Sequence, residues 1–185
     1  MFINKDDYPF TVCLEENWEA VRDEFASLPV EAFDPWVQQS MHGKGWSVFG
    51  LYANGDPIAK ACEQCPKTAE ILRSIEGLSI AGFSRMAPRT HIKPHVGWAA
   101  SVYRLHLGLV VPPDCKLRVG NETRHWAEGE CWIFDDTVEH EAWNDSGSYR
   151  GILLLDFLRP GHDSFTEDTI PSEVQDYFKG LEPKA

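Results

Sequence analysis

No run of apolar residues in this 185-residue chain approaches the roughly 20 that a helical membrane span requires, and the opening MFINKDDYPF lacks the charged and hydrophobic regions of a secretory signal. A soluble cytoplasmic protein with no membrane association is expected. Basic residues are scarce. Seventeen Lys and Arg stand against 29 Asp and Glu, a formal charge of −12, so a nucleic-acid backbone or an anionic bilayer would be repelled over most of the surface. The five cysteines are an odd number, which suits a reducing compartment better than a disulfide framework. Cys62 and Cys65 form a C-x-x-C pair, but no second pair or histidine at ligand spacing accompanies them. They read as buried small side chains rather than a zinc or redox site. Internal repeats and low-complexity segments are absent.

What is present is apolar enough to fold. With 43% hydrophobic residues and seven Trp, a chain of this length buries a core without staples, as a single domain over 1–185. Leu14, Trp18, Val21, Phe25 and Leu28 recur at three- and four-residue steps, predicting one helix that Pro29 stops. Residues 31–45 read as a connection, WSVFGLYA as a strand ending at an Asn54-Gly55 turn, and KTAEILRSI as a helix opened near Pro66 and closed by Gly77. From Leu78 to Pro160 short runs (LSIAGFSRM, SVYRLHLGLVV, CKLRV, CWIF, EAWN, YRGILLLDFL) alternate with turn signals. Those signals lie at Pro88, Pro112-Pro113, Gly120-Asn121, Glu128-Gly129 and Asp145-Ser146-Gly147. Many short strands at this spacing predict a mainly β sandwich or jelly roll, with the N-terminal helices covering one sheet. In the tail, 161–185, Val174, Tyr177, Phe178 and Leu181 at helical steps predict a short helix.

His95 follows Pro94 and precedes Gly97, where a loop is expected to enter a strand. His140 closes the acidic stretch DDTVEH, and Arg150 follows ten residues later. In a jelly roll, residues this far apart can meet across the mouth. Two imidazoles can hold ferrous iron while leaving positions for a cosubstrate and O2, and a fixed cation nearby suits a carboxylate. A carboxylate ligand would ordinarily stand two residues after the first histidine, but that place holds Gly97. Seven histidines offer many pairs, and a lone histidine is more often a hydrogen-bonded core or surface residue, so spacing leaves both readings open. His91 is a candidate third ligand. Asp135 and Asp136, adjacent on an expected strand, would point to opposite faces and read as structural or outer hydrogen bonders.

The ordered motifs HIKPH-x-G, R-x-HLGLVVP, C-x-LRVGNET, W-x-EG, FDD-x-x-EHE-x-WN and YRGILLLDFLRP closely resemble the aspartyl/asparaginyl β-hydroxylase family of 2-oxoglutarate-dependent dioxygenases. The resemblance implies a double-stranded β-helix, a cupin-like jelly roll with its core at about 45–160 and a helical cover at about 12–76. It implies that His95 and His140 bind Fe(II) and that Arg150 holds the far carboxylate of 2-oxoglutarate, assisted by Ser84. His106 and Arg104 would line the cosubstrate pocket, and Trp98 and Tyr103 the substrate pocket. Arg104 and His106 lie two apart on one strand, so both can reach one cavity. The bland readings stay open: Arg150 as a surface residue after a turn, His106 as a satisfied core histidine, Ser84 as strand filler.

The implied activity consumes 2-oxoglutarate and O2 to hydroxylate an unactivated carbon, by family default the β carbon of an Asp- or Asn-like residue. The substrate would be a free amino acid, a short peptide or a carrier-bound amino acid. Gly97 leaves two alternatives. Water completes the iron shell and the enzyme hydroxylates, or a halide takes the open position and it halogenates. A cupin-like metal-binding module without oxygen chemistry is the third possibility, against which stands the arginine suited to a diacid.

Overall fold

The computed structural model describes residues 1–165 and 171–181. Its first helical signal is interrupted. Phe10–Glu16 (α1) and Trp18–Ser27 (α2) flank Asn17, whose φ of −110° and ψ of 10° leave the helical region. The Asn17 side-chain amide donates to the Cys13 carbonyl at 2.8 Å, the kind of local side-chain bond with which Asn competes against helix continuation. One predicted helix is therefore two, although Leu14, Val21 and Phe25 are all buried as the spacing required.

The connection at 31–45 contains short elements of its own: a 3-10 turn at Val30–Ala32, a two-residue strand Asp34–Pro35 (β2) and a single helical turn Gln39–His42 (α3). The strand Trp46–Ala53 (β3) ends at Asn54-Gly55, both with positive φ, as a tight hairpin turn requires. Ala59–Gln64 (α4), which the periodicity did not reveal, precedes Pro66–Arg73 (α5). The Glu24 carboxylate from α2 accepts from the Lys67 and Thr68 amides, each at 2.8 Å, and so caps α5.

Eight consecutive strands then build the jelly roll. They are Leu78–Met86 (β5), Thr90–His95 (β6), Val102–Val110 (β7), Cys115–Val119 (β8), Glu122–His125 (β9), Cys131–Phe134 (β10), His140–Asn144 (β11) and Arg150–Leu158 (β12). The larger antiparallel sheet has the order β1-β10-β7-β12-β5-β3-β2, where β1 is Phe2–Ile3. A further two-residue strand Asp56–Pro57 (β4) pairs with β3. The smaller sheet has the order β6-β11-β8-β9. The chain thus passes back and forth between sheets, as expected of a double-stranded β-helix, and β6 and β9 are strands that the apolar runs did not announce. At Gly120, φ of 56° in the first central turn position closes the two-residue β8–β9 hairpin.

Period-2 alternation gives the larger sheet two different faces. One carries Leu51, Phe83, Leu105, Leu107, Leu153 and Leu155 into a core beneath α1, α2, α4 and α5. The other turns Met86, Phe134 and Ile152 toward Ile92, Leu117, Val119 and Ala142 of the smaller sheet. The polar residues of interest project into this second interior. The helix Ser172–Leu181 (α6) buries Val174 in that same cluster, with Tyr177 packed at its edge. The side chains of Phe178 and Leu181, named in the expected tail helix, lie outside the described residues.

Candidate metal and anion site

His95 and His140 are directly paired across β6 and β11, with ring centroids 4.1 Å apart. Strand alternation alone would not have aimed both inward. Ile92 faces the core and lies three residues before His95, whereas their partners Ala142 and His140 are only two apart. The extra residue on β6 is a bulge, and it turns His95 to the interior. Pro94 sits within it, where an edge strand tolerates the missing amide. His95 therefore ends a strand instead of opening one.

Both imidazoles are held in the same tautomer. His95 Nδ1 donates to the Lys93 carbonyl at 2.8 Å and His140 Nδ1 donates to the Val138 carbonyl at 3.0 Å, leaving each Nε2 as the lone-pair atom. Burial, the neighbouring His95 and Arg104 together push the His140 pKa down to about 3, and burial lowers that of His95. Two neutral imidazoles side by side are what a divalent transition metal needs. Among the described residues no set of three or more His, Cys, Asp or Glu is arranged to hold a metal, so these two would be the protein's share.

Arg150, at the start of β12, is 2% exposed and is among the largest fully buried side chains. Among the described residues no carboxylate meets it. Nη1 reaches Ser84 Oγ at 3.5 Å, Nη2 reaches Met86 Sδ at 3.2 Å, and Nε has no partner. Trp126 lies under the guanidinium, 4.7 Å from ring centroid to Cζ, and burial lowers the Arg150 pKa to about 10. Ser84 is itself oriented by Trp46, whose indole N–H donates to Oγ at 2.9 Å. His106, on the adjacent strand β7 in the same interior, has a buried Nδ1 without a partner among the described residues and is held neutral by burial and by the cations Arg150 and Arg104. A buried cation lacking a counter-ion, with orphaned nitrogens beside it, is costly unless an anion completes it. The donor set fits a carboxylate.

Arg104 sits differently. It is cross-strand neighbour to Asp156, and Nε and Nη2 donate to the two Asp156 oxygens at 2.8 and 2.7 Å, while Nη2 also lies 3.2 Å from Asp136 Oδ2. Arg104 and His106 do face one cavity, but Arg104's charge is already met. Asp136 is in the turn after β10, not on a strand as expected. Burial pushes its pKa up to about 6 despite Arg104, and Oδ1 lacks a partner. The Gly97 amide donates to the Asp136 carbonyl at 2.6 Å, and a Cβ at Gly97 would overlap the Asp136 carboxylate. The space that an acidic side chain at position 97 would need is filled by an acid from another strand connection. Asp135 instead accepts from Thr137 and Arg159.

Other candidates separate. Trp98 lines the cleft beside His95 and Gly97. Tyr103 does not. It lies on the opposite face of β7, packed against Tyr8 and Phe157 and under Arg159, because it is one residue from Arg104 on an alternating strand. His91 points away from the pair, stacked on Trp143 at 4.9 Å and bonded to Glu141 at 2.8 Å. Cys62 donates to the Leu51 carbonyl and Cys65 is buried with its pKa raised to about 12, so both are thiols. Sequence reasoning missed Trp46, Trp126 and Asp156. Only the last left a signal, an acid two residues from the end of an apolar strand that had to find a cation.

Residues 15–160 match the family described as Aspartyl/Asparaginyl beta-hydroxylase. The chain belongs to that family. It is 38% identical over 156 residues to the mouse (Mus musculus) aspartyl/asparaginyl beta-hydroxylase, covering 80% of this chain and 21% of that protein. It is also 36% identical over 164 residues to an ornithine lipid ester-linked acyl 2-hydroxylase from Rhizobium tropici, covering 83% and 58%. The chain thus spans about a fifth of the mouse hydroxylase and somewhat over half of the bacterial one. Among solved structures, the Cupin_2 domain of an XRE family transcriptional regulator from Enterobacter cloacae superposes with a TM-score of 0.44 at 14% identity, over 62% of this chain and 98% of that one. The relatives named here are hydroxylases, and the polar cluster described above lies in the interior of this chain's jelly roll.

Proposed function

We propose that this family member is an Fe(II)- and 2-oxoglutarate-dependent dioxygenase that hydroxylates an unactivated carbon. The observation that carries the reading is Arg150, a buried guanidinium with no carboxylate partner, facing the same interior as the paired histidines. His95 and His140 would hold the iron. Arg150 with Ser84 would take the distal carboxylate of 2-oxoglutarate, and His106, neutral and with an orphaned nitrogen, would donate to or accept from the same molecule. The bound metal and cosubstrate supply the oxidative chemistry. The balance is R–H + O2 + 2-oxoglutarate giving R–OH + succinate + CO2, with the C–H bond broken, a C–O bond formed and the cosubstrate oxidatively decarboxylated.

This chain's residues bind, orient and exclude water. Trp126 and Trp46 wall the anion site, fix the Arg150 plane and the Ser84 hydroxyl, and keep the local dielectric low, which strengthens the carboxylate contacts. Asp136 restores next to Gly97 a negative charge that the two neutral ligands lack. That placement favours hydroxylation over halogenation, since a halide beside Gly97 would press against a carboxylate. The activities for which the relatives are named range from aspartyl and asparaginyl residues to a lipid acyl chain, so kinship alone does not select between the Asp- or Asn-like substrate and others.

The test is succinate formation from 2-oxoglutarate by the purified protein with Fe(II) and O2. Turnover that needs both is expected. Absence of turnover, together with no 2-oxoglutarate binding to the iron-loaded protein, would remove this reading in favour of a metal-binding module without oxygen chemistry.

A further inference from the structure

We propose that the substrate group admitted to the histidine pair is an uncharged aliphatic chain carried on a neutral amide, rather than a carboxylate-bearing side chain. The reaction rests on the dioxygenase reading above, but the binding does not.

A cleft with a cavity volume of about 70 Å³ and an open mouth runs from His95 and Gly97 between β3, β5, β12 and α6. Val48, Ile80 and Leu154, one from each of three adjacent strands, face it and are only partly buried. Apolar side chains left part-wet on the inner face of a sheet gain from an apolar occupant. Above them Trp36 contacts Trp46 at 5.2 Å and lies parallel to Trp98 at 6.4 Å. The outer mouth continues the character with Met41, Pro171 and Val96, the last 57% exposed.

Charge points the same way. Apart from His95, the basic side chain lining this cleft among the described residues is Arg104, and its donors are engaged by Asp156 and Asp136. A carboxylate brought here would find the one lining guanidinium already neutralised by two acids and no other lining guanidinium or ammonium among the described residues, and burying an unpaired charge is prohibitive.

Among the described residues, the Trp36 indole N–H and Gln38 Oε1 are buried polar atoms of the wall without a partner. The Gln38 orientation follows from its other end. Nε2 donates to Glu173 Oε1 at 3.3 Å, and a carboxylate only accepts, so Oε1 is the atom turned inward. One donor and one acceptor complement a neutral amide, whose C=O accepts and whose N–H donates. A carboxylate would set an acceptor against Gln38 Oε1.

The full-length metal-free protein is titrated with N-octanoylglycinamide, acetyl-leucinamide and acetyl-aspartamide while tryptophan emission is followed. The aliphatic amides are expected to bind saturably and at least tenfold more tightly than the aspartyl compound. Preference for the octanoyl over the leucyl compound would assign the chain to an acyl group, the reverse to an apolar amino-acid residue. Ile80→Asp should weaken the aliphatic amides at least tenfold. Should that variant fail to fold by thermal melt, Gln38→Leu, which keeps the apolar character and removes the acceptor, should weaken them several-fold. Equal or tighter binding of acetyl-aspartamide, no saturable binding of either aliphatic amide, or unchanged affinity in the folded variant would overturn the proposal. Because no iron or 2-oxoglutarate is present, these outcomes are independent of whether succinate is formed.

Discussion

At the scale of single residues, the site is distinguished by groups whose placement makes sense only with something added. Arg150 is the clearest. A structural arginine in an interior is paired, and removing it breaks the pair at a cost of several kcal/mol. Here the cost runs in the opposite sense, because the guanidinium is desolvated against Ser84, Met86 and Trp126 without a counter-charge. Arg150→Met is therefore expected to leave the melting temperature of the ligand-free protein unchanged or raised. The same variant should weaken 2-oxoglutarate binding by about 1.5–3 kcal/mol, the value of a charge-assisted hydrogen bond, while iron still binds. Calorimetric titration and thermal melts on the same samples read both, and a variant that melts lower yet binds 2-oxoglutarate normally would make Arg150 structural.

Gly97 is the second residue-scale test. It stands where a two-histidine, one-carboxylate iron site places its acid. Asp136 already fills that volume, so Gly97→Asp puts two acids in one space and forces the Asp136 turn to move. Destabilisation of about 1–3 kcal/mol, typical of overpacking, with weaker iron binding is expected, measured by denaturant melts and metal titration.

Among elements, the positions of the histidines and of Arg150 depend on how β5, β6, β11 and β12 are tied at one end. Asn144, the last residue of β11 and 0% exposed, does this with one side chain. Its amide donates to the carbonyls of Met86, Ala87 and Ser148 at 3.2, 3.0 and 2.8 Å, and its oxygen accepts from Ser146. It thereby fixes the β5–β6 turn against the loop leading to Arg150. Asn144→Ala leaves those carbonyls unsatisfied and should cost about 1–3 kcal/mol, with loss of both iron and 2-oxoglutarate affinity. A variant of unchanged melting temperature would show the tie to be dispensable. The β6 bulge is an element-scale device of the same kind, since without its extra residue His95 would face solvent beside Lys93.

At the scale of the whole molecule, the jelly roll interior holds several histidines neutral. His140, His95 and His106 all have depressed pKa values, burial being the first cause for each. A histidine that is harder to protonate folded than unfolded contributes nothing above the unfolded value of roughly 6.5. Below it the unfolded chain takes up protons that the folded protein refuses, so stability falls as pH drops toward the folded values, about 3 for His140. Asp136 opposes this. Its pKa, raised to about 6, makes the folded state the better proton binder between the ordinary carboxylate range and pH 6. With these three and His42, whose pKa burial also lowers, against one acid, the metal-free protein is expected to lose melting temperature between pH 7.5 and 5, and His140→Gln to lose less. A flat profile, or one identical in the variant, would contradict the assignment.

Strands and site motifs were legible in the sequence to different degrees. WSVFGLYA, LSIAGFSRM and YRGILLLDFL announce their strands because each has an apolar, β-branched run bounded by turn residues. THIKPH and ETRH do not, since edge strands of the smaller sheet place charged or polar residues in solvent on one side and carry few apolar ones. Asn17 hid a helix break because its competing hydrogen bond is not a periodicity signal. The histidines, Arg150 and Ser84 were singled out through the ordered motifs, whereas Tyr103 failed for want of attention to strand alternation relative to Arg104.

The sequence by itself determined the mainly β class, the family, the positions of most strands and the pair of histidines to watch, because these follow from local periodicity, turn chemistry and motif order. Only the tertiary structure decided which charges are spoken for. Arg104 and Arg150 are alike as residues, and their difference is that a strand register sets Asp156 across from one and, among the described residues, no acid within reach of the other. The same holds for Gly97, a simple gap in the chain until the turn after β10 brings Asp136 against it, and for the apolar cleft, which exists because residues far apart in sequence line one space.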